Sequence, residues 1–216
     1  MGVLSGLFAG SRGPNASYVR SWAERREREL RHCNKPSPEY LFACMMYGLT
    51  SFVTKEPEQS IPSESKRIAV SEPYYGDGAL FELGCYIYVR FDTWLFVNKP
   101  HRRKEISTTF AREFVELFGK ALSTVNIRAL FEQRVSKYGE LIREGADVRK
   151  YHFYLCELIL RTRGNRPPES YDFDNEPLVL DAIAKVGVEI ALSNWELHMI
   201  PVLIQSLEAH CLLTDG

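Results

Sequence analysis

Residues 79–97 constrain the fold of this 216-residue chain most, because they are almost wholly apolar and long enough to form a helix. Spaced at 100° per residue, four polar side chains share one narrow arc of that helix: Glu82, Tyr86, Arg90 and Thr93. Asp92 falls on an apolar side. A helix that is apolar nearly all round is typical of the centre of a helical bundle. The segment therefore predicts a central, buried helix, and its three charges argue against a membrane span.

The rest of the chain is also helical in pattern, since apolar residues recur three or four positions apart and no stretch alternates with period two. Asn15 or Ser17 and the run Ser37-Pro38-Glu39 are typical helix starts, whereas Gly145 and Gly164 are typical helix ends. Further helices are predicted at about 17–32, 38–56, 106–122, 127–144, 148–163, 177–193 and 194–212. We therefore predict an all-α protein, a single globular bundle of seven or eight helices.

Residues 55–78 predict a long loop, because they contain three prolines and four serines. A connection of this length is uncommon inside a compact domain. We therefore divide the chain into an N-terminal segment at 1–56, a linker or lid at 57–78 and a main helical bundle at 79–216. The N-terminal segment holds a mobile tail and two helices, and it either forms a separate unit or packs onto the main bundle.

The charge and cysteine content narrow the class of protein and its compartment. The 27 basic and 28 acidic residues nearly cancel, which argues against a polycation that coats nucleic acid. The five cysteines are an odd number without a Cys-x-x-Cys pair, which favours free thiols in a reducing compartment. The N-terminus lacks the early positive charge of a secretory signal. These features predict a cytoplasmic protein.

The chain lacks the short motifs that usually accompany catalysis. It has no His-Glu-x-x-His, phosphate-binding loop, Gly-x-Gly-x-x-Gly or Gly-x-Ser-x-Gly sequence. We therefore predict no metal and no cofactor. The missing motifs leave catalysis open but favour a protein that is not an enzyme.

Several charged side chains lie on apolar stripes of the predicted helices. Arg134 lies near the centre of one such stripe, and a buried charge needs a partner because burying it alone costs several kcal/mol. We expect Arg134 to pair with Asp92 or Glu82, and Arg90 to pair with an acid such as Glu113 or Glu157. Hydrogen bonds to these groups are expected from Tyr86, Tyr138 and His152.

Three interpretations of these charges remain open. In the first, the charged side chains form structural ion pairs. In the second, the helix stripes that carry them face solvent at those turns. In the third, they line a pocket that binds a small anionic ligand. In a pocket, Arg90 or Arg134 would hold a carboxylate or phosphate, and His152 would be the acid–base group. The candidate ligand-binding residues are Glu82, Arg90, Asp92, Arg134, Tyr138 and His152.

A basic cluster follows the central helix. It consists of Lys99, His101, Arg102, Arg103 and Lys104, and it stands where Pro100 begins another helix. The cluster is a candidate anion-binding site at a helix start. Its cations also suit the carbonyl end of the preceding helix, which is the simpler interpretation. Nucleic-acid binding through this cluster and the basic segment 20–35 is the third functional hypothesis, and it lacks a motif of stacking aromatic side chains.

The leading hypothesis is a helical interaction or scaffold module without catalytic activity, which binds another protein or a second copy of itself. Candidate contact residues are Phe8, Trp22, Tyr74 and Tyr75, because aromatic side chains often anchor protein interfaces. Self-association is expected through the N-terminal helix or the apolar C-terminal helices. The alternative is a protein, or an enzyme, that binds a small anionic ligand in a polar pocket of the bundle.

Overall fold

The computed structural model describes residues 17–31, 37–55, 76–122, 126–145, 148–162, 166–168 and 201. Six helices lie in these ranges: α1 (Tyr18–Arg31), α2 (Pro38–Lys55), α3 (Asp77–Asn98), α4 (Pro100–Ala121), α5 (Ile127–Arg143) and α6 (Val148–Arg161). They confirm the all-α helical bundle, with six described helices instead of the seven or eight predicted. The two helices predicted at 177–193 and 194–212 lie outside the described residues, apart from Pro201. None of the described helices is long and apolar enough to cross a bilayer.

Local sequence signals fix the starts of α1 and α2. The Ser17 hydroxyl oxygen accepts a hydrogen bond from the Arg20 N–H at 3.0 Å, and the Ser37 hydroxyl accepts one from the Tyr40 N–H at 3.3 Å. Each bond satisfies an N–H that has no partner inside its own helix. Gly145 follows α5 with a φ of 63°, a left-handed conformation that favours glycine. The two predicted helix starts and this predicted helix end are confirmed.

The start of α3 differs from the prediction, because the helix begins at Asp77 and not at residue 79. The Asp77 carboxylate, 2% exposed, also holds the start of α1. It accepts hydrogen bonds from the Ser17 hydroxyl at 2.6 Å and from the N–H groups of Tyr18 and Val19 at 2.9 and 3.4 Å. Burial raises the pKa of Asp77, and these bonds offset only part of the rise. A single side chain thus joins α1 to α3.

Replacing Asp77 by alanine is expected to lower the free energy of unfolding by about 1–3 kcal/mol, because the buried start of α1 loses its acceptors. Asp77→Asn should lose less, since the amide oxygen can still accept a hydrogen bond. Urea unfolding followed by circular dichroism measures both variants. Equal stability of Asp77→Ala and the wild type would show that the contact contributes nothing.

Helices α3 and α4 form an antiparallel hairpin joined by one residue, Lys99. Phe91 near the end of α3 packs on Phe110 at a centroid distance of 5.5 Å. Phe81 near the start of α3 packs on Phe118 near the end of α4 at 5.4 Å. The tip of the hairpin therefore lies at residues 98–100, and the start of α3 lies beside the end of α4.

The close approach of α3 to α4 depends on Gly84. A Cβ atom at this position would lie 2.5 Å from Cε2 of Phe114, well inside van der Waals contact. Phe114 cannot readily move, because four other rings pack on it at centroid distances of 4.5–6.4 Å: Phe42, Phe81, Phe118 and Phe131. These rings come from α2, α3, α4 and α5, so Phe114 lies where four helices meet.

The described part of the N-terminal segment shares this core. Val19 and Ala23 of α1 and Phe42 of α2 are fully buried. Phe42 also packs on Phe110 of α4 at 5.6 Å. Helices α1 and α2 therefore pack onto the bundle. Residues 56–75 lie outside the described residues, so the linker or lid at 57–78 stays a prediction.

Candidate functional site

An ion pair lies in the interior of the bundle between Arg134 of α5 and Glu82 of α3. Arg134 Nε donates to Glu82 Oε2 at 2.9 Å, and Arg134 Nη2 donates to Glu82 Oε1 at 3.0 Å. The two side chains are 1% and 0% exposed. This two-pronged arrangement is the strongest geometry for a guanidinium and a carboxylate. The sequence predicted Asp92 or Glu82 as the partner of Arg134, and in the structure the partner is Glu82.

Arg134 also donates to two further acceptors. Nη1 donates to Gln133 Oε1 at 2.7 Å, and Nη2 donates to the Pro168 carbonyl oxygen at 2.5 Å. Burial lowers the pKa of Arg134, but the adjacent Glu82 raises it further, and the net pKa lies above the ordinary value. The guanidinium stays charged, and its nitrogens are directed at groups of the chain itself. This arrangement favours a structural pair over a ligand site.

Tyr138 and Tyr154 lie close enough to the ion pair to interact with it electrostatically. Tyr138 packs between Tyr86 and Tyr154, at centroid distances of 5.6 and 5.0 Å. Its hydroxyl is buried without a hydrogen-bond partner among the described residues. Burial raises the pKa of Tyr138 well above its ordinary value, and it does the same for the Cys85 thiol. Both groups are therefore neutral at physiological pH and unsuited to exchange protons there.

Asp92 does not pair with Arg134. Its carboxylate instead accepts two hydrogen bonds from Arg103 of α4, at 2.9 and 2.7 Å, and one from the Ser107 hydroxyl. The bonds from Arg103 raise the pKa of that guanidinium. The side chain of Asp92 is 20% exposed. The sequence suggested a buried acid facing α5, whereas Asp92 faces α4 and fastens the tip of the hairpin.

Arg90 and His152 are the other candidate ligand-binding residues. The Arg90 guanidinium lies 5.9 Å from the centre of the Tyr151 ring. Glu113, one acid suggested for Arg90, accepts a hydrogen bond from Arg112 at 3.1 Å. The His152 side chain lies outside the described residues. The structure therefore brings Glu82, Arg134 and Tyr138 together and places Asp92 in a different cluster.

The basic cluster predicted at 99–104 lies at the tip of the α3–α4 hairpin, together with two apolar side chains. Phe96 and Val97 are 61% and 70% exposed. We call residues 96–104 the α3–α4 corner. Its basic members are Lys99, His101, Arg102, Arg103 and Lys104. The sequence pointed to these cations but not to the exposed apolar pair, because residues 79–97 read as buried throughout.

A cleft between α1 and α4 has a volume of about 390 Å³. We call it the α1–α4 cleft, and its lining residues are Trp22, Arg25, Arg26, Glu29, Glu113, Glu116, Leu117 and Lys120. The Trp22 ring packs edge-on against Phe42 at 5.7 Å, and Leu117 is 2% exposed. The sequence singled out Trp22 as a contact residue. The partner helix could not be predicted, since α1 and α4 are distant in sequence.

The described residues of the two basic segments proposed for nucleic-acid binding lie at different places. Arg25 and Arg26 of α1 line the cleft beside residues 113–120 of α4, whereas the α3–α4 corner includes the first turn of α4. Nucleic-acid binding through both together therefore has less support from the geometry. Phe8, Tyr74 and Tyr75, the other candidate contact residues, lie outside the described residues.

The described residues contain no group of three or more His, Cys, Asp or Glu side chains that could hold a metal ion. Comparisons of the chain with protein-family models, with curated proteins and with solved structures find no match.

Proposed function

We propose that this chain is a helical interaction module without catalytic activity, and that it binds another protein through the α1–α4 cleft. The observation that carries this proposal is the cleft itself, which has Trp22 and Leu117 at its apolar part and charges of both signs around them. The alternative pocket for a small anion has less support, because all three guanidinium nitrogens of Arg134 already have acceptors within the chain.

The side chains around the cleft suit a protein interface. Tryptophan and arginine are the residue types that most often dominate binding energy at such interfaces. Trp22 is half-buried and held by Phe42, so binding would cost little side-chain entropy. The arginine side chains Arg25 and Arg26 are 62% and 35% exposed. A fixed aromatic ring beside accessible arginines supports a contact with another protein.

The charges of the cleft also indicate the kind of partner. Three cations face three anions, so the cleft has no net charge. The pairs already present are exposed: Lys120 and Glu116 lie 2.7 Å apart with side chains more than half exposed. Exposed pairs contribute at most about 1 kcal/mol each, so a partner can replace them. We expect an amphipathic helix with charges of both signs, which packs between α1 and α4.

The test is capture of proteins from the source cells on the full-length chain, followed by measurement of the dissociation constant with each purified candidate. The variant Arg25→Glu/Arg26→Glu reverses two charges in the cleft and should weaken binding by about tenfold or more. The matched control is Arg20→Glu/Arg128→Glu, which makes the same change in net charge at two exposed positions outside the cleft. The control should bind as the wild type does.

Three results would overturn the proposal. In the first, no candidate binds the purified wild type. In the second, the cleft variant and the control variant bind every candidate equally. In the third, sedimentation of the pure chain shows a dimer that the cleft variant dissociates, which would make the partner a second copy of the chain.

A further inference from the structure

We propose that the α3–α4 corner binds the surface of an anionic lipid bilayer. The corner places two adjacent exposed apolar side chains, Phe96 and Val97, beside four cations at the tip of a helical hairpin. This inference does not depend on the α1–α4 cleft. The cleft involves the second half of α4, whereas the corner includes the first turn, so both surfaces can be occupied at once.

The apolar part of the corner stands out within the described residues. Among all the described residues, four large apolar or aromatic side chains are exposed: Tyr18, Tyr47, Phe96 and Val97. The two tyrosines are 37% and 41% exposed and carry a polar hydroxyl, whereas Phe96 and Val97 are 61% and 70% exposed and adjacent. Single exposed apolar residues are ordinary, but a neighbouring pair at the tip of a hairpin is typical of an interaction surface.

The charge of the corner supplies the complementarity to an anionic surface. Four cations, Lys99, Arg102, Arg103 and Lys104, stand against two carboxylates. Asp92 pairs with Arg103 and Glu105 pairs with Arg102, which leaves an excess of two positive charges. Lys99 and Lys104 form no ion pair with any described residue. Their charges are available to lipid headgroups, and each cation near an anionic membrane strengthens binding.

The corner is fixed in one arrangement before any partner arrives. The two hydrogen bonds from Arg103 to Asp92 join the first turn of α4 to the last turns of α3. They also hold the Arg103 guanidinium 5.1 Å from the centre of the Phe96 ring. Lys99 alone connects the two helices. Binding therefore needs little further ordering of the chain, which favours affinity.

The exposure of the two apolar side chains distinguishes a bilayer from a protein partner. A protein that binds two side chains exposed at the tip of a hairpin must supply a matching pocket, whereas the headgroup region of a bilayer accepts apolar side chains without one. Phe96 and Val97 would enter the boundary between headgroups and acyl chains, while Lys99 and Lys104 would contact lipid phosphates and carboxylates. The combination of apolar and cationic side chains is the one that peripheral membrane surfaces use.

The experiment is co-sedimentation of the full-length chain with vesicles of phosphatidylcholine alone or with about 30% phosphatidylserine. We expect binding to the anionic vesicles at about 0.1 M NaCl and a marked loss of binding at about 0.5 M, because salt screens exposed charges. Vesicles of phosphatidylcholine alone should leave the chain in the supernatant.

Two corner variants and one control separate the contributions. Lys99→Gln/Lys104→Gln should weaken binding about thirtyfold, since each cation contributes about a factor of five. Phe96→Ser/Val97→Ser should weaken it about tenfold, because less apolar surface is buried. The control Arg20→Gln/Arg128→Gln makes the same change in net charge at exposed positions near the opposite end of the hairpin, and it should bind as the wild type does.

The lysine variant keeps the test decisive if the apolar variant fails to fold. The proposal is overturned if the wild type stays in solution with anionic vesicles, or if it binds both kinds of vesicle equally. It is also overturned if the control variant loses as much binding as the lysine variant, since any loss of charge would then suffice. Binding to RNA without binding to vesicles would assign the corner to nucleic acid instead.

Discussion

Replacing Arg134 by methionine is expected to lower the free energy of unfolding at pH 8 by about 3–5 kcal/mol. Glu82, fully buried, would lose the cation that holds it, and the Pro168 carbonyl would lose its donor. Burial already raises the pKa of Glu82 even with Arg134 beside it. Without Arg134, no opposite charge in this pair offsets the cost of burying the Glu82 carboxylate, so the loss of stability should be large. Urea unfolding at several pH values measures it.

The loss in Arg134→Met should depend on pH in a defined direction. The variant's native state keeps a proton on Glu82 that the unfolded chain, with an ordinary pKa of about 4.5, has released. Stability therefore falls as pH rises from about 4.5 towards the raised native pKa. The variant should be closer to the wild type at about pH 5 than at pH 8. The opposite trend would contradict this account of the pair.

The double variant Glu82→Met/Arg134→Met separates a structural pair from a functional one. Glu82→Met alone strands a buried guanidinium, which cannot lose its proton, so its penalty should persist across the pH range. Removing both charges should restore most of the stability, because an apolar pair of similar volume often replaces a buried ion pair without net loss. A double variant as unstable as the sum of the two single variants would contradict this prediction.

Replacing Phe114 by alanine is the second large effect, with an expected loss of about 3–5 kcal/mol in the free energy of unfolding. The Phe114 ring is fully buried, and rings from three other helices pack on it. Neighbours held on several sides cannot easily collapse into the space left behind, so the cavity term is large. Thermal and urea unfolding measure the change.

Phe96→Ala is the matched control for Phe114, because it removes the same ring from a position that is 61% exposed. It should change the free energy of unfolding by less than about 0.5 kcal/mol. Comparable losses in the two variants would show that Phe114 is not the centre of the core. A loss below about 1 kcal/mol in Phe114→Ala would show that the surrounding helices can close the gap.

The sequence was sufficient to predict that Arg134 needs a partner, because a charge at the centre of an apolar stripe is costly when alone. It could not decide between Glu82 and Asp92, since both lie on α3 and the decision depends on how far α5 reaches along that helix. The structure places the Arg134 pair near the start of α3, whereas Asp92, near its end, meets Arg103 across the hairpin tip.

The starts of α1 and α2 were predictable because their causes are local. A serine that accepts an N–H three residues later needs no information from elsewhere, as Ser17 and Ser37 show. The role of Asp77 was not predictable, because its partners in α1 lie 58 to 60 positions away. Gly84 is a similar case, because from the sequence alone a glycine within a helix indicates only a locally less stable helix. Its role in packing follows only from the Phe114 ring that lies against it in the structure.

The single-residue connection between α3 and α4 has a consequence for the order in which contacts can form. The Asp92–Arg103 contact spans 11 positions of the sequence, whereas the Glu82–Arg134 and Ser17–Asp77 contacts span 52 and 60. The entropy lost on closing a loop grows with loop length. Of these three contacts, the one at the hairpin tip therefore requires the smallest loss of chain entropy, and α1 and α5 gain a surface on which to assemble once the hairpin exists.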